Sequence, residues 1–322
     1  MKNNIAHWQL KTSIALFIFN RPDTTEQVFA EIAKVKPPKL LVIADGPRIG
    51  HPSDGERCKA TRAIIEKVDW DCKVLKNYSD INLGCKRRVS SGLNWVFNMV
   101  EEAIILEDDC LPHPSFFRFC EELLEKYRNN EQVALISGAN LFLSRKKTPY
   151  SYYFSRYPQI WGWASWRRFW KHYDVNIKRW SELRNSDWLK DILGSKGPIY
   201  HYWEKVFDAT HQGKTNTWDY QMVFALWAQK ALAIIPQVNL ISNIGWSNDP
   251  NFRKRYHKFA RMKTKAMKFP LVHPPYISRH AAADKFTEKY SFTSFRSLLE
   301  RIFLYLFFKI RRWLLELFRG MK

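Results

Sequence analysis

Cysteine is scarce in this chain of 322 residues: Cys58, Cys72, Cys85, Cys110 and Cys120 are odd in number and show no CxxC spacing. That argues against a disulfide scaffold and fits reduced thiols in a cytosolic compartment. Long apolar runs are also missing. No segment reaches the ~20 apolar residues of a spanning helix, and the opening stretch MKNNIAHWQLK lacks the apolar core of a secretory signal, so the body of the protein is expected on the cytosolic face. Acidic residues are outnumbered, 31 against 52 lysines and arginines, and the resulting net charge of +21 implies an anionic partner: nucleic acid, a phosphate-rich substrate or the anionic leaflet of a membrane. No internal repeat or low-complexity block is evident. What is abundant is aromatic: 14 Trp, 14 Tyr and 22 Phe, whose flat rings suit sugar faces, bases and membrane interfaces as well as cores. An apolar fraction of 46% supplies an ordinary core for one large domain with attachments or two modest domains.

From Ser13 to Gly138 short apolar runs (IALFIF, LLVIADG, CKVLKNY, AIILEDD, VALISG) alternate with helix-like stretches. The pattern predicts an α/β fold with a mostly parallel, Rossmann-like sheet flanked by helices, and in such sheets ligands bind at the carboxyl ends of the strands. Those ends carry Asn20 and Arg21, then Asp45 and Gly46, then Asn82 and Gly84, then the triplet Glu107, Asp108, Asp109. Four loops therefore converge on one rim. Three adjacent carboxylates repel one another at the mouth of a buried strand unless something positive neutralises them, and a divalent cation is the obvious candidate. The competing reading is a solvated turn leading into a helix after Pro112 and Pro114. Lys86, Arg87 and Arg88 crowd the first turn of the next predicted helix, against its dipole. A bound phosphate relieves that conflict, and a merely solvated basic turn is the equal alternative.

Beyond Gly138 the alternation fades into aromatic-rich segments, PQIWGWASWRRFW, TWDYQMVFALWAQ and NLISNIGWSND. Taken in order, FNRP, ADG, NLGCKRR, LEDD, GWASW, TWDYQ and LISNIG resemble the glycosyltransferases of the GT-A fold, in particular the group that includes N-acetylglucosaminyltransferase one and bacterial family-two relatives. The acidic motif reads EDD where Asp-x-Asp is common elsewhere in the fold. The resemblance implies a nucleotide-sugar-binding half at 13–138 and an acceptor-side half at 139–250 within one domain spanning 1–250; beyond it, composition and periodicity predict a basic linker at 251–293 and an amphipathic helix at 294–322.

The resemblance further implies that Asp109 is the direct metal ligand and that Asp108 lies near the ribose or a metal-bound water. Asp45 would accept a hydrogen bond from uracil, Arg21 would lie near the nucleotide, Lys86 and Arg87 would meet phosphate or ribose, and Glu107 would support the loop. Asn20, Gly46 and Gly84 complete the expected donor rim. Hard oxygen ligands favour Mn2+ or Mg2+. An inverting transfer needs a carboxylate to take the acceptor's proton, and Asp219, between Trp218 and Tyr220, is the candidate; capping of the helix from Tyr220 to Lys230 is the competing role. Trp161, Trp163 and Trp218 are the expected acceptor contacts, beside Trp166, with Gly162 as a close-approach glycine. His273 and His280 are weaker candidates for the metal or diphosphate.

Arg253 to Lys268 holds eight lysines and arginines and no acid. Near the end, Leu299, Ile302, Phe303, Leu306, Ile310, Trp313 and Leu317 form an apolar helical stripe opposite Arg301, Lys309, Arg312 and Arg319, the profile of a helix lying in a membrane interface. Packing on the body or on a second chain is the alternative. The expected enzyme is thus peripheral on the inner face of the cytoplasmic membrane, with a nucleotide-sugar donor, a glycan or lipid-linked acceptor and no nucleic acid. Two rivals stand beside it: a sugar nucleotidyltransferase, disfavoured because FNRPDTTEQ after the first strand holds no glycine, and a nucleic-acid-binding protein, suggested by charge alone.

Overall fold

Every residue of the run Ile14–Ile18 is buried, and such a strand needs cover on both faces. The computed structural model, which describes residues 8–141, 148–245, 259 and 261–292, supplies it. The first half runs β1 (Ile14–Ile18), α1 (Pro22–Val35), β2 (Lys39–Ala44), α2 (Asp54–Ala63), β3 (Lys73–Tyr78), α3 (Gly84–Met99), β4 (Glu102–Glu107), β5 (Cys110–Pro112), α4 (Ser115–Tyr127) and β6 (Val133–Ser137). Then follow β7 (Tyr152–Ser155), β8 (Trp163–Trp166), the short helices α5 (Arg167–Trp170), α6 (Trp180–Leu183) and α7 (Trp188–Leu193), α8 (Pro198–His211), α9 (Asp219–Ala228), β9 (Leu232–Pro236), β10 (Ile241–Asn243) and α10 (Ala281–Thr287).

Eight strands form one sheet in the order β3-β2-β1-β4-β8-β6-β9-β7, and β5 pairs with β10 in a separate two-stranded ribbon. Neighbours β1 to β4 run parallel, as do β6 and β9, while β8 is antiparallel to both β4 and β6 and β7 is antiparallel to β9. The fold is thus the expected α/β layering with a mostly parallel sheet. Alternation along each strand divides the core: Ile14, Leu16 and Ile18 pack with α1 and α4, whereas Ala15 and Phe17 pack with α3, α8 and α9. Burying side chains of this size stabilises by about 1.5–3 kcal/mol each before conformational entropy is subtracted.

Two features depart from the sequence pattern. The aromatic segment around WASW is a central strand, β8, inserted between β4 and β6. The predicted linker is, where described, a strap along the β10 ribbon and the β7 edge of the sheet, with Met262, Met267 and Leu271 buried among its cations. Arg261 N–H donates to the Asn243 carbonyl (3.1 Å), Lys265 N–H to that of Asn239 (2.9 Å) and His280 N–H to that of Phe154 (2.8 Å). In α10 the fully buried Asp284 accepts from Ser155 Oγ at 2.6 Å and faces Arg156 and Arg279, each at 3.6 Å. The described part of 251–293 is thus hydrogen-bonded to the body at Asn239, Asn243 and Phe154. Among the described residues no helix is long and apolar enough to cross a membrane; the predicted amphipathic helix at 294–322 lies outside them.

Candidate functional site

Parallel pairing of β1 with β4 sets Phe17 opposite Glu107, so the chain leaving β1 and the acidic triplet leaving β4 emerge side by side. Asp108 is buried and accepts the Phe19 N–H at 3.0 Å, which stitches the two strand ends together. Arg21, just beyond, reaches Asp109 Oδ2 at 2.5 Å and Asp108 Oδ1 at 3.5 Å. Burial opposes the Arg21 charge, yet Asp108, Asp109 and Glu107 together raise its pKa. Burial, aggravated by the Asp109 and Asp108 charges, pushes Glu107 upward despite Arg21, and burial likewise lifts Asp108. One guanidinium thus stands against three carboxylates at this strand end.

Of these groups, Asp109 and Asp108 carry the hard oxygen ligands that could hold a divalent cation such as Mn2+ or Mg2+. Among the described residues no group of three His, Cys, Asp or Glu side chains forms a protein-only cage, so diphosphate and water oxygens would supply the remaining ligands. The glycine of LISNIG covers the acidic loop. A Cβ on Gly245 would lie 2.1 Å from Asp109 Oδ2 and 2.6 Å from Arg21 Nη1, and Ile244 N–H donates to the Asp109 carbonyl at 2.8 Å.

The second and third strand ends are fastened by Asp45. Its carboxylate accepts the N–H groups of Gly46 (3.0 Å), Leu83 (2.9 Å) and Gly84 (3.0 Å). Gly46 and Gly84 have backbone reasons to be glycine: a Cβ at Gly46 would lie 2.5 Å from the Ile81 carbonyl carbon, and Gly84 has φ +75°. Asn20 Nδ2 donates to Asp54 Oδ1 at 2.7 Å, so its side chain is occupied in holding α2. Asp54 also receives Arg48 Nε at 2.7 Å, and that hydrogen bond holds its carboxyl well below the usual carboxylate range. Arg48 in turn lies over the Phe19 ring, 5.5 Å from its centroid. Arg88 is buried beneath the rim, its Nε donating to the Ala44 carbonyl at 3.1 Å; the other two cations of that turn, Lys86 and Arg87, remain at the surface of α3.

Across the rim, the loop before α9 approaches α3: a Cβ on Gly84 would stand 3.9 Å from the Asn216 side-chain amide. Asp219 opens α9, where its Oδ1 accepts the Tyr220 N–H at 3.0 Å and the Thr217 hydroxyl. It thus satisfies one first-turn amide, although Trp218 occupies the N-cap position. Burial raises its pKa, against the pull of those two donors. Glu107 and Cys85 both feel the Asp219 charge, and Cys85, pushed up by desolvation, feels Asp45 as well. Asp219 is thus within electrostatic reach of Glu107 and Cys85.

The aromatic expectation needs correction. Trp163 is 1% exposed and Trp218 3%, their rings stacked with centroids 5.8 Å apart. Trp163 opens β8, pairs with Ile105 and Ser137 on either side and stacks on Trp218 at the start of α9, so neither ring is offered to a sugar. Trp161, outside the strand, is only partly buried. Gly162 is the expected close-approach glycine, with φ +58° and a hypothetical Cβ 2.5 Å from Ile241 Cδ1. His273 bonds Tyr152 Oη at 3.0 Å and His280 caps α10 by accepting the Ala283 N–H at 3.1 Å, so both serve the strap and not the rim. Asp54, Arg48 and Thr217 escaped sequence reading, as did the buried role of Arg88, whose partners Ala44 and Asn77 lie on β2 and β3; Gly245 is visible only as a letter in a motif.

No family model matches the chain, and no curated protein matches its sequence. Among solved structures, UDP-glucose pyrophosphorylase complexed with UDP-glucose aligns at 12% identity over 71% of this chain and 90% of that one, with a TM-score of 0.37. The 4-diphosphocytidyl-2C-methyl-D-erythritol synthase from Anaerococcus prevotii aligns at 12% identity over 77% of this chain and 99% of that one, also with a TM-score of 0.37. A likeness at this level is one of general α/β layering and says nothing about chemistry.

Proposed function

We propose that the chain is a metal-dependent glycosyltransferase that moves a sugar, with inversion, from a nucleotide-sugar donor of the UDP class to a hydroxyl of a glycan or lipid-linked acceptor. The observation that carries this reading is the opposition of two charged edges: Arg21, Asp108 and Asp109 at the ends of β1 and β4, and Asp219 across the Gly84 turn. A bound Mn2+ or Mg2+ would neutralise the diphosphate as the anomeric bond breaks. Arg21, with Lys86 and Arg87 on the first turn of α3, attracts the same phosphates. Asp219 receives the acceptor's proton, and burial, by raising its pKa, strengthens it as a base. Asp45 acts behind the site, holding the turn on which the donor rests.

The same lining of acids and bases also serves sugar nucleotidyl transfer, in which a sugar phosphate attacks a nucleoside triphosphate. The two reactions leave different products. Offered UDP-sugars with Mn2+, the protein is expected to release UDP, and chelation is expected to stop it. Release of pyrophosphate from UTP and a sugar 1-phosphate, with UDP-sugars inert, would decide for the nucleotidyltransferase.

The tail belongs to this proposal as well. Residues 294–322 and the basic stretch before the strap would hold the enzyme on an anionic membrane face, on the cytoplasmic side, where lipid-linked acceptors are built. Deleting 294–322 should release the protein from anionic vesicles. Binding to oligonucleotides that persists at physiological salt would favour a nucleic-acid partner instead.

A further inference from the structure

A carboxylate that serves as a base works best when one oxygen is fixed and the other is free. Among the described residues, the Thr217 hydroxyl and the Tyr220 N–H both donate to Oδ1 of Asp219. Thr217 is itself held: Gln221, fully buried, donates from Nε2 to the Thr217 carbonyl at 3.0 Å, and Tyr173 Oη donates to the carbonyl of Trp218 at 3.1 Å. Two consecutive carbonyls are thus anchored from two separate elements, and the Thr217 hydroxyl is aimed by the backbone that carries it. Neither Thr217 nor Asp219 is fully buried, so the pair stands at the open side of the loop.

We propose that Thr217 is the positioning residue of the transfer reaction: its hydroxyl locks Asp219 by Oδ1 and turns Oδ2 toward the acceptor hydroxyl. This rests on the reading of Asp219 as the base. In the step so assisted, the acceptor O–H bond breaks and its proton passes to Oδ2. The acceptor oxygen bonds the anomeric carbon, and the electron pair of the breaking glycosidic C–O bond leaves with the diphosphate. Thr217 exchanges no proton with substrate.

The groups facing Asp219 sharpen the test. Glu107 at the end of β4, Cys85 on α3 and Tyr173 before α6 all interact with its charge. Burial favours the protonated base, whereas Thr217 and the Tyr220 amide favour the ionised one. Losing the Thr217 hydroxyl therefore moves the base's pKa up.

The experiment compares Thr217→Val, Thr217→Ser and Asp219→Asn in the full chain, with donor binding measured beside kcat and its pH profile. Thr217→Val should lower kcat about tenfold at neutral pH and leave donor affinity unchanged. The acid limb of its kcat profile should shift to higher pH, and Thr217→Ser should restore both. Overturning results are a Thr217→Val enzyme with the kcat and acid limb of the parent, or a Thr217→Ser enzyme as impaired as Thr217→Val, which would mean that packing of the methyl matters. The base reading fails separately: Asp219→Asn would then keep its transfer rate. An inactive Asp219→Asn with a normal Thr217→Val overturns the positioning role alone.

Discussion

The two edges of the site are built by different means. On the β1 to β4 side, charged side chains fasten strand ends by bonding backbone or one another: Asp108 to Phe19, Asp45 to Leu83 and Gly84, Asp54 to Arg48 and Asn20. On the other side, aromatic rings do the holding. Trp163 stacks on Trp218, Trp170 on Tyr173 at 4.2 Å, and Tyr173 then anchors the loop that carries Asp219. Electrostatic fastening makes the first edge sensitive to pH and charge; packing makes the second sensitive to volume.

That contrast can be broken from either side. The largest effect is expected from Asp219→Asn, which should keep donor binding and lower transfer by about 10²–10⁴-fold, read in single-turnover assays. Trp163→Ala should cost about 3–5 kcal/mol in urea unfolding; a variant with parental stability but weakened acceptor binding would restore Trp163 as a sugar platform. Gly245→Ala should raise the donor KM about ten- to a hundredfold with the fold intact on circular dichroism, because the new Cβ displaces Asp109 and Arg21. Asp54→Asn should cost least, about 1–2 kcal/mol at pH 7, since Arg48 is half-exposed. The sign follows from the depressed pKa of Asp54: its contribution is full above the unfolded value near ~4 and lost as the pH falls toward the folded one. Denaturant midpoints for parent and variant should therefore converge in acid.

The same contrast explains what the sequence made legible. In the first half each strand is an apolar run followed by a helix, and parallel strands put all their carboxyl ends on one side, so Arg21, Asp45, Asp108 and Asp109 could be assigned to one rim from order alone. The duties of those residues were harder to read, because Asp45 bonds N–H groups 38 and 39 positions away and a sequence shows no such partner. In the second half, β8 has four residues and β10 three, lengths that carry little periodicity. Tryptophans in GWASW look the same in sequence whether they face a sugar or a core. The strap was hidden for a related reason: its buried methionines are single residues among lysines, a spacing that reads as a solvated chain.

The insertion of β8 between β4 and β6 has a mechanical consequence. The strand that ends in the acidic triplet and the strand that leads to the aromatic half share a hydrogen-bonded neighbour, so one continuous sheet runs beneath both edges of the candidate site. Rotating one half against the other would tear that ladder, which rules out clamshell opening about a hinge. Admission of substrates and escape of products fall to the loops above the strands.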